Sequence, residues 1–211
     1  NKLILKNLKS KLRNGQKICC MVNFKEINNH LELIELLSKF NNIIDKVRFA
    51  IDPKRINHFL KIINLTKKKV KNIEFDVNLM YLSKWYDHQL FVKSLLSKLQ
   101  KFDGVISFVD SYGSLKPSQV TNFFNNVSKI NSNLKIGCHF HNNCGLALAN
   151  TLAAIEAGCQ NADCTITGMG RGAGNAETEL LLSILKPEKI NLSSYEFDET
   201  LEEFKKLKEE L

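Results

Sequence analysis

The sequence predicts an α/β fold assembled from repeated βα units around a parallel sheet, and three observations carry that prediction. Short apolar runs recur along the chain, and helix-period segments fill the gaps between them. The runs begin about 26–32 residues apart, the length of one βα unit. Strands covered on both faces read as such near-continuous apolar runs rather than as strict alternation.

Residues 1–12 read as a helix ahead of the first strand. Strands are expected at about 17–22 (Lys17-Ile18-Cys19-Cys20-Met21-Val22), 46–51 (Lys46 to Ile51), 72–79, 104–109 (Gly104 to Val109), 134–140 and 161–166. Helical spacing links Leu31, Ile34, Leu37 and Ser38 after the first run. It links Ile56, Leu60 and Ile63 after the second, and Leu90, Lys93, Leu96 and Leu99 after the third. The stretch 117–130 opens on Pro117, tolerated in a first helical turn. Leu146, Asn150, Ala153 and Ala157 line another helix, stopped by Gly158. A charged helix is expected over about 198–210, solvated on one face. No Pro- or Ser-rich linker divides the chain, so a single domain over 1–211 is the simplest organisation. The repeated unit suits a TIM-type (β/α)8 barrel. Such a barrel typically needs about 250 residues, so about six units are expected here, as if the first one or two lay upstream. An open doubly wound sheet is the structural alternative, but it leaves the residues described next without a common role.

The 211 residues carry 44% hydrophobic and 25% charged side chains, ordinary for a globular protein. The net charge of +8 is spread over helical stretches such as Lys67-Lys68-Lys69 without a basic-aromatic motif, which argues against nucleic acid as partner. Apolar runs are broken by Lys, Asn or Asp, so neither a membrane span nor a signal peptide is expected. The cytoplasm is the expected compartment, and oligomeric state is left open. Six cysteines form no C-x-x-C pair. Most sit in apolar contexts where a free thiol packs as a small hydrophobe.

The chemistry concentrates at three strand ends. In Gly137-Cys138-His139-Phe140-His141-Asn142-Asn143, His139 and His141 share one face of a strand. At the C-terminal end of a barrel strand that face is the mouth, where two imidazoles can ligate one metal. Ordinary packing is the competing explanation for an isolated H-x-H. Val109-Asp110-Ser111-Tyr112-Gly113 places an acid where another run stops, although Asp110 also suits a turn. The loop Gly168-Met169-Gly170-Arg171-Gly172-Ala173-Gly174-Asn175 has four glycines in seven residues, which permits close backbone approach to a ligand. It follows the last strand rather than the first, so it is not a dinucleotide fingerprint. Asn175 would stand at a helix N-cap, serving backbone donors or turning its oxygen to a metal.

These pieces resemble the DRE-TIM metallolyase superfamily of aldolase-type (HMGL-like) barrels. They are Asp110-Ser111-x-Gly113, His139-x-His141-Asn142-Asn143-x-Gly145-x-Ala147-x-Ala149-Asn150 and Gly168-Met169-Gly170-x-Gly172-Ala173-Gly174-Asn175. The glycine loop is most similar to that of the 4-hydroxy-2-oxovalerate aldolases. The resemblance implies a divalent cation, Mn²⁺ or Mg²⁺, bound by an Asp of the barrel's first strand, with an Arg beside it, and by His139 and His141, with Asn175 as a ligand or close neighbour. It also implies aldol or Claisen chemistry on a 2-oxo acid or acyl substrate through a stabilised enolate; Asp110 and Arg171 are expected to line the mouth as catalytic residues. The superfamily's first-strand Asp and Arg have no counterpart here, and residues 168–175 contain no Cys. The expected function is a metal-dependent carbon–carbon lyase or synthase. Two alternatives stand beside it: a non-catalytic barrel kept for binding or assembly, and a phosphate-binding barrel using the glycine loop.

Overall fold

The computed structural model describes residues 2–185 and 201–206. Its six strands are hydrogen-bonded in chain order, β1-β2-β3-β4-β5-β6, with a helix or helical turn after each, the arrangement of successive units of a TIM-type barrel. The chain divides into two compact units.

The first unit comprises Asn1–Met80, His88–Phe108 and Asn133–Lys135. It holds α1 (Lys2–Lys11), β1 (Cys19–Asn23), α2 (His30–Ser38), β2 (Lys46–Ile51), α3 (Ile56–Lys67), β3 (Glu74–Leu79), α4 (Gln89–Leu99) and the start of β4 (Ile106–Asp110). Asn29 caps α2 by accepting from the backbone N–H groups of Leu31 and Glu32, which satisfies two donors the helix leaves open. β2 pairs in parallel with β1 and β3. It buries Val47, Phe49 and Ile51 on one side. Phe49 meets Phe59 at 5.6 Å and Phe75 at 5.7 Å between ring centroids, both edge-on. Each such ring contributes about 1.5–3 kcal/mol of burial energy. The other side of the sheet is polar. Lys46 reaches Asp76 at 2.9 Å, and Asp76 accepts the Val105 backbone N–H at 2.8 Å.

The second unit comprises Tyr81–Asp87, Val109–Ser132 and Ile136–Leu211. It holds the end of β4, α5 (Pro117–Ile130), β5 (Ile136–Phe140), α6 (Ala147–Glu156), β6 (Asn161–Asp163) and α7 (Thr178–Ile184). α5 buries Val120, Phe123, Phe124 and Val127, an i, i+3, i+4, i+7 stripe. β5 and β6 run parallel with His139 in register with Asp163.

The expected strands and the helix at 117–130 are present, with shifts at the ends. The run 161–166 is strand only over Asn161–Asp163 and then turns through Ile166–Gly168. Helix phase differs more. α2 buries Leu33 and Leu37 while Leu31 is exposed. α4 buries Val92, Leu95, Leu96 and Leu99, leaving Leu90 84% exposed. Apolar residues outnumber those that one face can bury, so packing partners select the face. Cys138 and Cys159 are buried, but Cys19 and Cys144 are exposed, so most of the six thiols do not serve as core. Of the helix expected at 198–210, residues 201–206 are helical and the remainder lies outside the described residues. Among the described residues no helix is long and apolar enough to cross a membrane.

Candidate metal centre

The histidine pair stands where β5 ends. His139 and His141 have ring centroids 5.1 Å apart, one ring edge-on to the other. Between and before them Phe140 and Cys138 are fully buried on the opposite side, as strand alternation requires. The His139 Nδ1 lies 3.2 Å from Asp163 Oδ2. That contact fixes the ring and leaves Nε2 for other partners, the arrangement in which a carboxylate orients a metal-binding imidazole. Burial first, then the neighbouring His139 and Arg171, hold the His141 imidazole below its ordinary pKa. The neutral ring is the form that binds a cation.

Asn175 comes to the pair through the backbone. It forms an antiparallel bridge with His141, and Asn142 N–H donates to Gly174 O at 2.9 Å. Asn175 Nδ2 donates to Met169 O at 3.1 Å, while its buried Oδ1 has no hydrogen-bond partner among the described residues. Asn175 is therefore not the N-cap of the following helix: α7 begins at Thr178, with Glu177 in the cap position. The glycines fit this approach. A Cβ on Gly174 would stand 2.1 Å from Gly168 O, and one on Gly170 would stand 2.2 Å from Asn175 Nδ2.

Asp110 is fully buried. Its Oδ2 accepts the Leu115 backbone N–H at 2.9 Å, and Leu115 O accepts from Asn150 Nδ2 at 2.7 Å. Alternation along β4 puts its side chain with Ile106 and Phe108, away from Ser107 and Ser111. Its carboxylate thus anchors the loop after β4. Its backbone carbonyl accepts the His141 N–H at 3.4 Å and the Gly113 N–H at 3.1 Å. Arg171 is exposed and reaches Ser111 O at 3.5 Å. His139, His141 and Asn175 are brought together; Asp110 reaches His141 through its backbone carbonyl and through its charge, which favours the protonated ring, and Arg171 stands at the edge.

Local sequence does not single out Asp163 or Glu179. Glu179 accepts the Thr167 N–H with both oxygens, at 2.9 and 3.0 Å, holding a residue whose φ is +57°. Asp163 is visible only through the β5–β6 register. Among the described residues, no group of three His, Cys, Asp or Glu side chains converges on one cation position. Among the described residues the donor set is two imidazoles and one amide oxygen. Two imidazoles with an unsatisfied amide oxygen fit a divalent cation that draws its remaining ligands from elsewhere.

The HMGL-like family model matches residues 38–203. The chain belongs to the HMGL-like family. A 4-hydroxy-2-oxovalerate aldolase from Pelotomaculum thermopropionicum is 45% identical over 82 residues, 39% of this chain and 24% of that enzyme. The chain therefore matches about a quarter of the length of such curated relatives. The crystal structure of the N-terminal domain of a candidate aldolase from Bacteroides vulgatus superposes with a TM-score of 0.86 at 33% identity, covering 100% of this chain and 68% of that one. The carboxyl transferase domain of Rhizobium etli pyruvate carboxylase shares the fold, with a TM-score of 0.70 at 16% identity over 89% of this chain and 34% of that one. HMGL-like membership agrees with the βα order of the strands and helices.

Proposed function

We propose that this protein works as a divalent-metal-dependent carbon–carbon lyase or synthase of the aldol or Claisen type, acting on a 2-oxo acid or acyl substrate. The observation that carries the reading is the His139–His141 pair with the unsatisfied Asn175 oxygen bridged to it. When bound, a Mn²⁺ or Mg²⁺ ion supplies Lewis-acid stabilisation of the enolate oxygen. His139 and His141 would hold the cation, with the unpartnered Asn175 side-chain oxygen beside them. Asp163 keeps His139 in one orientation. Arg171, on the glycine loop, places a guanidinium where it can meet the negative charge of the substrate. Asp110 holds the loop after β4 against β5, which keeps the pair aligned; it is a positioning residue in this scheme.

The test is turnover of 4-hydroxy-2-oxo acids, followed as release of a 2-oxo acid, with Mn²⁺ present and after chelation. Metal-dependent cleavage that His139→Ala abolishes is the expected result. Cleavage that survives chelation, or an intact Mn²⁺ affinity in the His139→Ala/His141→Ala variant, contradicts the reading.

A further inference from the structure

The turn between β6 and the glycine loop keeps its shape against the preferences of its own backbone. Thr167 is buried and has φ +57° and ψ +19°, a left-handed conformation that is an outlier for a β-branched residue. Gly168 follows with φ +64°, so two consecutive residues wind the same way. Such strain persists only where the surroundings over-determine it, and it concentrates at functional sites. The group that fixes it here is Glu179, twelve residues along the chain and in the first turn of α7. Both of its carboxylate oxygens accept the Thr167 N–H, at 2.9 and 3.0 Å. A carboxylate acceptor makes this a charge-assisted bond, stronger than one to a neutral oxygen.

The two residues after Thr167 carry Asn175. Its backbone N–H donates to Gly168 O at 3.0 Å, and its Nδ2 donates to Met169 O at 3.1 Å. A carbonyl oxygen can only accept, so Met169 O takes the NH₂ end of the amide and leaves Oδ1 as the free end. That Oδ1 is the buried oxygen without a hydrogen-bond partner among the described residues, on a residue bridged to His141. The packing leaves the turn no slack. A Cβ on Gly174 would stand 2.1 Å from Gly168 O, and one on Gly168 would stand 2.9 Å from Glu177 Cγ and 3.1 Å from Asn175 O. A shift of the Thr167–Gly168 peptide therefore moves the carbonyls on which Asn175 rests.

We propose that Glu179 is a positioning residue of the metal centre: by holding the Thr167–Gly168 turn it fixes the direction of the Asn175 side-chain oxygen. Glu179 acts through the backbone of the turn and not as a ligand. This rests on the metal-dependent reading above, because that oxygen serves a cation only if one stands at His139 and His141.

The experiment is Mn²⁺ calorimetry on the full chain, with folding of each variant checked by circular dichroism. Glu179→Ala should bind Mn²⁺ about 10–100-fold more weakly than the unmodified protein, the range for loss of a group that orients a ligand. Glu179→Gln keeps one acceptor oxygen and loses the charge, and should fall about fivefold. Thr167→Gly removes the steric objection to the left-handed turn. In that background Glu179→Ala should cost no more than about threefold, because the turn no longer needs holding. A merely structural role would lower unfolding stability yet leave the Mn²⁺ affinity of folded Glu179→Ala unchanged. That result overturns the proposal, as does an equal loss in both backgrounds. If Glu179→Ala does not fold, Glu179→Gln decides: the stated loss upholds the proposal and an unchanged affinity overturns it. Each of these failures leaves the metal centre standing, whereas failure of the unmodified protein to bind Mn²⁺ overturns both.

Discussion

Replacing Gly113 by Ala tests whether the loop after β4 sets the position of the histidine pair. Gly113 has φ +56°, and an added Cβ would lie 2.4 Å from His141 O and 2.8 Å from Asn143 N. Cβ atoms essentially never approach other atoms closer than 3.0 Å, so one of the two backbones must move by at least about 0.6 Å. The atoms that would yield are main chain at the end of β5, not the tip of a flexible side chain. Functional constellations tolerate roughly 0.5 Å of displacement. The left-handed φ costs about 1–2 kcal/mol, and overpacking adds about 1–3 kcal/mol. Gly145→Ala is the control, because Gly145 has φ +70° and an added Cβ there would meet nothing within 4 Å among the described residues; it carries the strain alone. Denaturant unfolding and Mn²⁺ calorimetry on both variants separate the effects. Gly113→Ala should lose about 2–5 kcal/mol and about tenfold or more in Mn²⁺ affinity. Gly145→Ala should lose about 1–2 kcal/mol and keep its Mn²⁺ affinity. If the two variants match in both measurements, the loop does not position the histidines.

Other perturbations follow from the same geometry. Asp163→Asn removes the carboxylate that orients His139 and should lower Mn²⁺ affinity about 10–100-fold; an unchanged calorimetric isotherm would count against that role. Asp110→Ala leaves the Leu115 N–H without its acceptor in a fully buried place. It should cost about 1.5–3 kcal/mol in denaturant unfolding. Phe49→Ala empties the centre of the aromatic cluster in the first unit and should cost about 3–5 kcal/mol, without the site-specific loss of metal affinity expected for Asp163→Asn. Acid stability should also respond to Asp45. Donation from Lys9 first, and then the Ile18 N–H, hold its carboxyl below the ordinary value of 3.8. A depressed acid stabilises the fold fully above its unfolded value and loses that contribution as pH falls through the folded one. Asp45→Ala should therefore flatten the decline of unfolding free energy below about pH 4, measured by denaturant titration at several pH values.

Much of the architecture is legible in the sequence because local composition and burial agree. Residues 46–51 form a strand with the expected ends, and 117–130 a helix, since Val47, Phe49 and Ile51 in one and the Val120–Val127 stripe in the other need no outside information. Leu31 and Leu90 show where that logic fails: helices with apolar residues on two sides are phased by their neighbours, which the local pattern does not contain. The site divides in the same way. His139 and His141 share a face by strand alternation alone, a local property. Asp163 joins them only through the pairing of β5 with β6, 24 residues along the chain. Asn175 reads as a cap because it precedes a helix, but its antiparallel bridge to His141 is tertiary. Asp110 is legible as an acid at a strand end, but its bond to the Leu115 N–H is a contact that the strand pattern alone does not give. Tyr81 gives no local signal for its positive φ, because the Ser111 hydroxyl that accepts its N–H lies 30 residues along the chain.

The proposed activity depends most on His139 and His141 holding one cation between them. Mn²⁺ calorimetry on the unmodified chain and on the His139→Ala/His141→Ala variant, with folding of both checked by circular dichroism, tests it most directly. One Mn²⁺ per chain in the former and no measurable binding in the latter is the predicted result. Equal Mn²⁺ binding by two equally folded proteins would contradict it.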